Sequence, residues 1–501
     1  MTAARKLRVG IGSLPRSALV CALIAFASAV VFAAIVPPFQ VPDEPEHYAY
    51  TEYLAQSGRL PHAPAPAPEF SPQEQAALEG LYSPSLLGGQ HFGRPPWSDG
   101  QMKHVRSLLS ASPSRSGQGG VTGESDNPPL YYALAVIPYE IGGATGGGFL
   151  ERLTAMRLLS ALLSALTALL VFCFVREAMP SPPHAATVAG LLVALQPQVG
   201  FIAGGVNNDN LLFTASAALL WGLARAFRRG LTPASGAAIG ASIAVGLLTK
   251  LTFIGLLPGV AVALGLLCLR RGESEQPRTT WRGAAVAVAI PAAATALYVA
   301  LNSAVWHRSL FQGALGAGTV SGGAGASSSG NFRELLSYIW QFYLPRLPGM
   351  RAQFDFYPLW HVWFQGFIGR FGLLDYGFPP WVYFVALAVF LGLLALVIRA
   401  VRSEFGLFAR HWRELLSYVV IVLGLLAAIA RAGFPYHLST HFIFEQARYL
   451  FPLLALYGLL IAVAVRGAGR RWAVPLGITL VGLALVQDLF AQLLTLQRYY
   501  T

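Results

Sequence analysis

Apolar residues in this chain fall into runs of about twenty, the helix length needed to cross a hydrocarbon core of about 30 Å. Eleven such segments can be drawn, at residues 17–37, 153–175, 185–205, 210–227, 235–249, 252–269, 283–301, 379–399, 414–431, 450–466 and 473–493. The pattern predicts an all-α, polytopic membrane protein in which the whole chain, 1–501, forms a single integral membrane domain. Two long segments between spans, 38–152 and 302–378, are expected as large loops on the outer side. The stretch 236–269 needs arbitration. As one helix it would reach about 51 Å, so two short spans that meet at Thr249-Lys250 are the better reading.

Within the first loop, Pro61 to Pro68 reads as polyproline II, and the apolar stretch from Asn127-Pro128-Pro129-Leu130-Tyr131-Tyr132 to about Ile141 reads as a helix in the membrane interface. The glycine-dense run 313–330 is expected to be mobile.

Composition agrees with this picture. The chain is 55% hydrophobic with mean hydropathy +0.54, and its 12% charged residues are about half the share of a soluble protein. A nucleic-acid-binding domain, a coiled coil and a disordered chain are thereby excluded. Cys21, Cys173 and Cys268 each sit inside an apolar run, so no disulfide framework or zinc site is expected. Arg5, Lys6, Arg8 and Arg16 precede the first run, and Ala33-Ala34 resembles a signal-peptide cleavage site. Ten further spans follow, and we read the first as a retained helix. Clusters such as Arg225/Arg228/Arg229, Arg399/Arg402/Arg410/Arg413 and Arg466/Arg470/Arg471 mark cytoplasmic loops. They predict a cytoplasmic N-terminus and an external C-terminus in a cell (plasma or inner) membrane.

The charged residues that remain carry the candidate chemistry. Asp43, Glu44, Glu46 and His47 crowd five positions directly after the first span. A helix cap explains one acid there, not four ionisable groups. Asn207-Asn208-Asp209 lies at the turn between the third and fourth spans, where the plain reading is turn chemistry. Lys250, one of three lysines, sits at the outer end of two short spans, placed to snorkel or to meet an anionic headgroup. Arg448-Tyr449 opens the tenth span, as a phosphate ligand or as a simple anchor. Mid-span ionisable residues are scarce apart from Asp488, unlike the pattern of a pump or ion-coupled transporter.

Taken in order, Pro42-Asp43-Glu44-Pro45, the Pro-Pro-Leu-Tyr-Tyr segment, the arginine-led second span (Arg152, Arg157), Asn207-Asn208-Asp209, Leu248-Thr249-Lys250 and Arg448-Tyr449 resemble the GT-C glycosyltransferases. In particular they resemble a bacterial family of polytopic membrane proteins with GT-C-like architecture. The resemblance implies transfer of a sugar from a polyprenyl-phosphate donor to a glycan, lipid or protein acceptor at the outer membrane face. It assigns the base to Asp43, with Glu44 beside it. Relatives often carry His just before the Pro-Pro motif, where this chain has Asn127. Glu46, His47, Asn208, Asp209, Lys250, Arg448 and Tyr449 are the candidate substrate-binding residues. A lipid phosphate is already a good leaving group, so one carboxylate suffices, unlike the two spaced carboxyls of a glycosidase. A divalent cation between the adjacent acids is the alternative use of that pair. A flippase, and a polymerase or ligase of lipid-linked glycans built on loop arginines such as Arg346 and Arg351, are the competing functions.

Overall fold

The computed structural model describes residues 15–61, 69–81, 98–113, 117–144, 147–269, 277–305, 332–443 and 445–501. The Pro-Ala run at 62–68 and the glycine-dense run at 313–330 lie outside the described residues. Each of the eleven apolar segments is helical. Nine helices among the described residues are long and apolar enough to cross a membrane singly. They include α1 (Arg16–Ile35), which leads into the first loop. Ala185–Ala194 and Pro197–Ala203 add a tenth span as a pair bent by 54°. The bend falls where Pro197 restarts the helix and the Gln196 side chain accepts the Gln198 N–H at 2.7 Å. The remaining segment is the shorter apolar helix Pro233–Leu247.

The first loop contains α2 (Glu44–Ser57), α3 (Pro72–Gly80), α4 (Asp99–Ala111) and α5 (Leu130–Ala144). Pro45 stands in the first turn of α2, and Gly58 closes the helix in the left-handed region at φ 64°, its N–H bonded to the Leu54 carbonyl. A Ser71/Glu74 capping box starts α3. Tyr48, Tyr50, Tyr131, Tyr132, Tyr139 and Phe149 share an aromatic core between these helices and the first turn of α6 (Phe149–Ala178). In it Tyr50 stacks on Tyr132 with ring centroids 3.7 Å apart. The Pro-Pro-Leu-Tyr-Tyr segment therefore turns its tyrosines inward, onto α2 and α6.

In the bundle, α6 packs against α1 and against α7 (Asp209–Arg229), which is the most enclosed span at 83% buried. The break expected near Lys250 is present: α8 (Pro233–Leu247) is followed by a 3-10 turn Leu251–Leu256 that leads into α9 (Leu257–Cys268). Helix α8 packs between α7 and α10 (Pro277–Ala304). Downstream lie α11 (Phe332–Tyr343), α12 (Pro380–Ser403), α13 (Trp412–Thr440), α14 (Leu454–Gly467) and α15 (Ala473–Tyr500). A two-residue antiparallel ribbon, Arg370–Phe371 with Tyr376–Gly377, precedes α12. Helix α12 is only 6% buried and shows Phe384, Phe390 and Leu394 outward, as lipid solvates apolar side chains at no cost. Asp488, the acid well inside the last span, accepts hydrogen bonds from Ser28 at 3.0 Å and Gln492 at 2.8 Å.

Small residues set the closest helix crossings, because lipid supplies no hydrophobic drive between spans and contact must come from shape. Gly236 and Gly240, one turn apart on α8, face Gly283 and Ala287 on α10. A Cβ on Gly236 would lie 2.0 Å from the Gly283 carbonyl oxygen, so the two backbones would have to separate. Gly236→Val should destabilise the purified protein by about 1–3 kcal/mol, measured as a lowered Tm. Gly265→Ala, which meets open space, should leave Tm unchanged.

Candidate active site

Eight residues, Val36 to Asp43, connect α1 to α2, and two of them sit in the left-handed region: Phe39 at φ 62° and Asp43 at φ 61°. Asp tolerates that conformation, while Phe does so only under constraint. The constraint is Glu44. Its buried carboxylate accepts the Phe39 N–H at 2.8 Å and the Val206 N–H at 3.0 Å. Arg157, buried on α6, grips both oxygens, Nε to Oε1 at 2.8 Å and Nη2 to Oε2 at 2.6 Å. The other Arg157 donors go to the carbonyls of Ala33, Val36 and Pro37 at 2.8–3.0 Å. All five guanidinium hydrogens are thus placed. The pair fixes the connection and leaves Glu44 without a free oxygen.

Asp43 stands at the N-cap position of α2, yet its side chain caps nothing. It points the other way and receives a hydrogen bond from Arg448 Nη2. Arg448 Nη1 in turn lies 3.6 Å from Asp209 Oδ2, and Lys250 Nζ donates to Asp209 Oδ1 at 2.7 Å. Four segments, more than 400 residues apart at their extremes, so form one chain of alternating charge, Asp43–Arg448–Asp209–Lys250. The Tyr449 ring flanks both cations, 5.4 Å from Arg448 and 5.7 Å from Lys250. Exposure differs sharply along the chain: the Asp43 side chain is 35% accessible, against 1% for Arg448 and 2% for Asp209. Asp43 is the acid of this chain that meets the outside.

The other first-loop residues line the opposite flank. His47 Nδ1 shares a 3.0 Å hydrogen bond with the Tyr132 hydroxyl and lies 3.9 Å from Glu124 Oε2, while its Nε2 is buried without a partner. Asn208 Nδ2 donates to the same hydroxyl at 3.3 Å, and Asn207 ties the turn to the first loop by donating to the Pro42 carbonyl at 3.1 Å. Glu46 is half-buried near Asp43 and Glu124. Burial, then the charge of Asp43, lifts its carboxyl to about 8, so it is mostly protonated at neutral pH. Burial likewise raises Glu124 to about 7 and lowers His47 to about 3, leaving a neutral imidazole. On Asp43 burial pulls upward, but its neighbours, Arg448 foremost and Lys250 with it, together keep the carboxyl below its ordinary value. Lys250 is held above its ordinary value because Asp209 and Glu124 outweigh burial.

Of the residues singled out from sequence, Asp43, Asp209, Lys250, Arg448 and Tyr449 meet directly, with His47 and Asn208 joined to one another through Tyr132. Glu44 faces Arg157 instead, so the adjacent acids Asp43 and Glu44 point to different partners and do not form a two-carboxylate cation seat. Asp43, His47 and Glu124 do offer one: their ligand atoms lie within 4.8 Å of one another. Sequence reasoning missed Glu124. The signal was there, an acidic Glu124-Ser125-Asp126 just ahead of the Pro-Pro motif in a chain poor in charge.

Chemically the arrangement offers an accessible carboxylate beside buried cations. Arg448 Nε and Nη1 make no hydrogen bond although the side chain is almost wholly buried. An unmet donor pair on a buried guanidinium suits an incoming oxyanion.

This is a helical, multi-pass membrane protein with a charged site at one end of its bundle. The chain belongs to the family described as predicted membrane protein (DUF2142), which it matches over residues 26–457. No curated protein matches it. Among solved structures it is similar to ArnT from Cupriavidus metallidurans bound to undecaprenyl phosphate, at 16% identity and TM-score 0.48, covering 89% of this chain and 59% of that one. It is also similar to an oligosaccharyltransferase from Archaeoglobus fulgidus tethered with an acceptor peptide, at 13% identity and TM-score 0.42, covering 96% of this chain and 55% of that one. The chain therefore spans little more than half the length of either.

The Glu44–Arg157 pair gives the sharpest structural test. Arg157→Met strands a buried carboxylate and should cost about 3–5 kcal/mol, read as a large loss of Tm in the purified protein. Adding Glu44→Gln should restore part of that loss, because the stranded charge is gone. A single variant as stable as the wild type would show that the pair does not hold the connection.

Proposed function

We propose that this protein is a glycosyltransferase of a cell (inner or plasma) membrane that takes a sugar from a polyprenyl-phosphate donor and passes it to a glycan, lipid or protein acceptor. The observation that carries the reading is the contact of Asp43 with Arg448, an accessible base beside a buried cation with unmet donors. In the proposed step an acceptor hydroxyl gives its proton to Asp43 while its oxygen bonds to the sugar anomeric carbon. The bond from that carbon to the phosphate oxygen breaks, and the electron pair leaves with the polyprenyl phosphate. Arg448 and Lys250 stabilise the charge that develops there. A phosphate that occupies Arg448 also loosens its hold on Asp43, and burial then makes that carboxylate more basic. Tyr449 orients the two cations, and His47, Asn208 and Glu46 line the approach. Glu44 supports the base by fixing the backbone before it rather than by touching substrate.

Asp43→Asn tests the base. Asn tolerates the left-handed backbone as Asp does, so the variant should insert, fold and bind the lipid donor. Transfer should fall about 10²–10⁴-fold, measured with purified protein and labelled donor. Near-normal transfer would remove Asp43 from the mechanism.

A second reading has its own observation, the convergence of Asp43, His47 and Glu124. Two carboxylates and a neutral imidazole with a buried, unpartnered Nε2 suit a divalent cation. Such an ion would act as a Lewis acid toward the acceptor hydroxyl. Mn²⁺ titration of the purified protein, followed by paramagnetic resonance, should then show one bound ion, weakened at least about tenfold by Glu124→Gln. A signal identical in wild type and variant would leave Asp43 acting alone.

A further inference from the structure

On the far side of the Glu44–Arg157 pair from Asp43 lies a cavity of about 560 Å³ that the proposed transfer does not use. Its floor is Val36 and Pro37, just past the end of α1, and the first turns of α6, where Arg157 forms part of the wall. Its sides are apolar, with Ile141 of α5 and Leu158 of α6 facing outward at 57% and 41% exposure. From Leu158 the exposed surface continues down α6 through Leu162 and Leu166, at 57% and 42% exposure. That spacing of four residues draws one unbroken stripe along the span. A groove that opens onto a lipid-facing stripe suits a hydrocarbon chain.

The mouth of the groove has the opposite character. Helix α4 packs on α3 through Val105 and Leu109, which leaves Lys103, His104 and Arg106 exposed, and Arg106 lines the cavity. Glu151, the acid in the lining, accepts the Gly148 N–H at 2.8 Å and makes no ion pair with Arg106. Thr154 donates to the Leu150 carbonyl of its own helix at 2.8 Å. Arg106 therefore stands over an apolar slot, with Lys103 one turn away on the same face of α4, and neither has an ion-pair partner among the described residues.

We infer that this groove is a binding site for an anionic membrane lipid, with its phosphate on Arg106 and Lys103 and one chain along Ile141, Leu158, Leu162 and Leu166. The charge at the mouth selects a phosphate with a net negative headgroup, and the stripe below selects an amphiphile over a free anion. The site stands on its own residues and does not depend on the proposed transfer. A lipid seated there would press on Arg157, and so on the connection that carries Asp43.

The test is lipid binding by the purified full-length protein, followed by native mass spectrometry with short-chain phosphatidylglycerol and phosphatidylcholine. The wild type should prefer phosphatidylglycerol. Lys103→Gln/Arg106→Gln should lose about thirtyfold of that preference, the worth of two cations beside a lipid phosphate. Thr154→Phe, which fills the slot from α6, should weaken both lipids alike. Retention of the preference by the double variant, or wild-type lipid binding by Thr154→Phe, would overturn the proposal. So would inorganic phosphate that displaces the lipid at equal concentration, because the site would then be one for a free anion. Since the readout is binding rather than transfer, the two readings fail separately.

Discussion

A guanidinium buried at the end of a helical bundle has five N–H donors and little water to receive them. Arg157 meets that constraint by binding both oxygens of Glu44 and the carbonyls of three residues at the end of α1. The consequence reaches beyond the pair. Because Glu44 also accepts the N–H groups of Phe39 and Val206, three separate stretches of chain converge on one ionic contact. The positive φ of Phe39 is tolerable only inside such a frame, and the left-handed turn at Asp43 that follows turns its side chain away from its own helix toward Arg448. The position of the Asp43 carboxylate is therefore a product of the ion pair beside it.

Charge balance organises the next layer. Asp43, Arg448, Asp209 and Lys250 alternate in sign, so each buried charge has an opposite neighbour and the set is close to neutral without a ligand. Neutrality makes burial tolerable but does not satisfy every hydrogen bond, and the unmet donors of Arg448 mark where an anion is favoured. Nearby Glu46 and His47 avoid the same problem by being neutral, the acid through its raised pKa and the imidazole through its lowered one. One site thus contains both solutions to buried charge, pairing and neutralisation.

Much of the fold was legible because the bilayer restricts what a chain can be. Apolar runs of spanning length have to be helices, since unpaired backbone groups are too costly in hydrocarbon. The eleven segments, the break at Lys250 and the helix after the Pro-Pro motif all follow from that constraint. The bend at Gln196-Pro197 was not anticipated, because a run of apolar residues looks the same whether straight or bent.

The sequence also named the scarce charges outside the spans, and scarcity alone singled out Asp43, Asp209, Lys250 and Arg448. What it left open was partnership. Asp43 and Glu44 are neighbours with the same chemistry, yet one serves the site and the other the scaffold. The left-handed turn at Asp43, held by Arg157 from α6 and by backbone groups from two loops, sends the two side chains apart. Glu124 was overlooked for the same reason, since its nearness to His47 arises from the packing of Tyr132 onto α2. Local sequence determines helices and the supply of charge through solvation; which charges meet is decided by contacts between residues hundreds of positions apart, and only the tertiary structure fixes those.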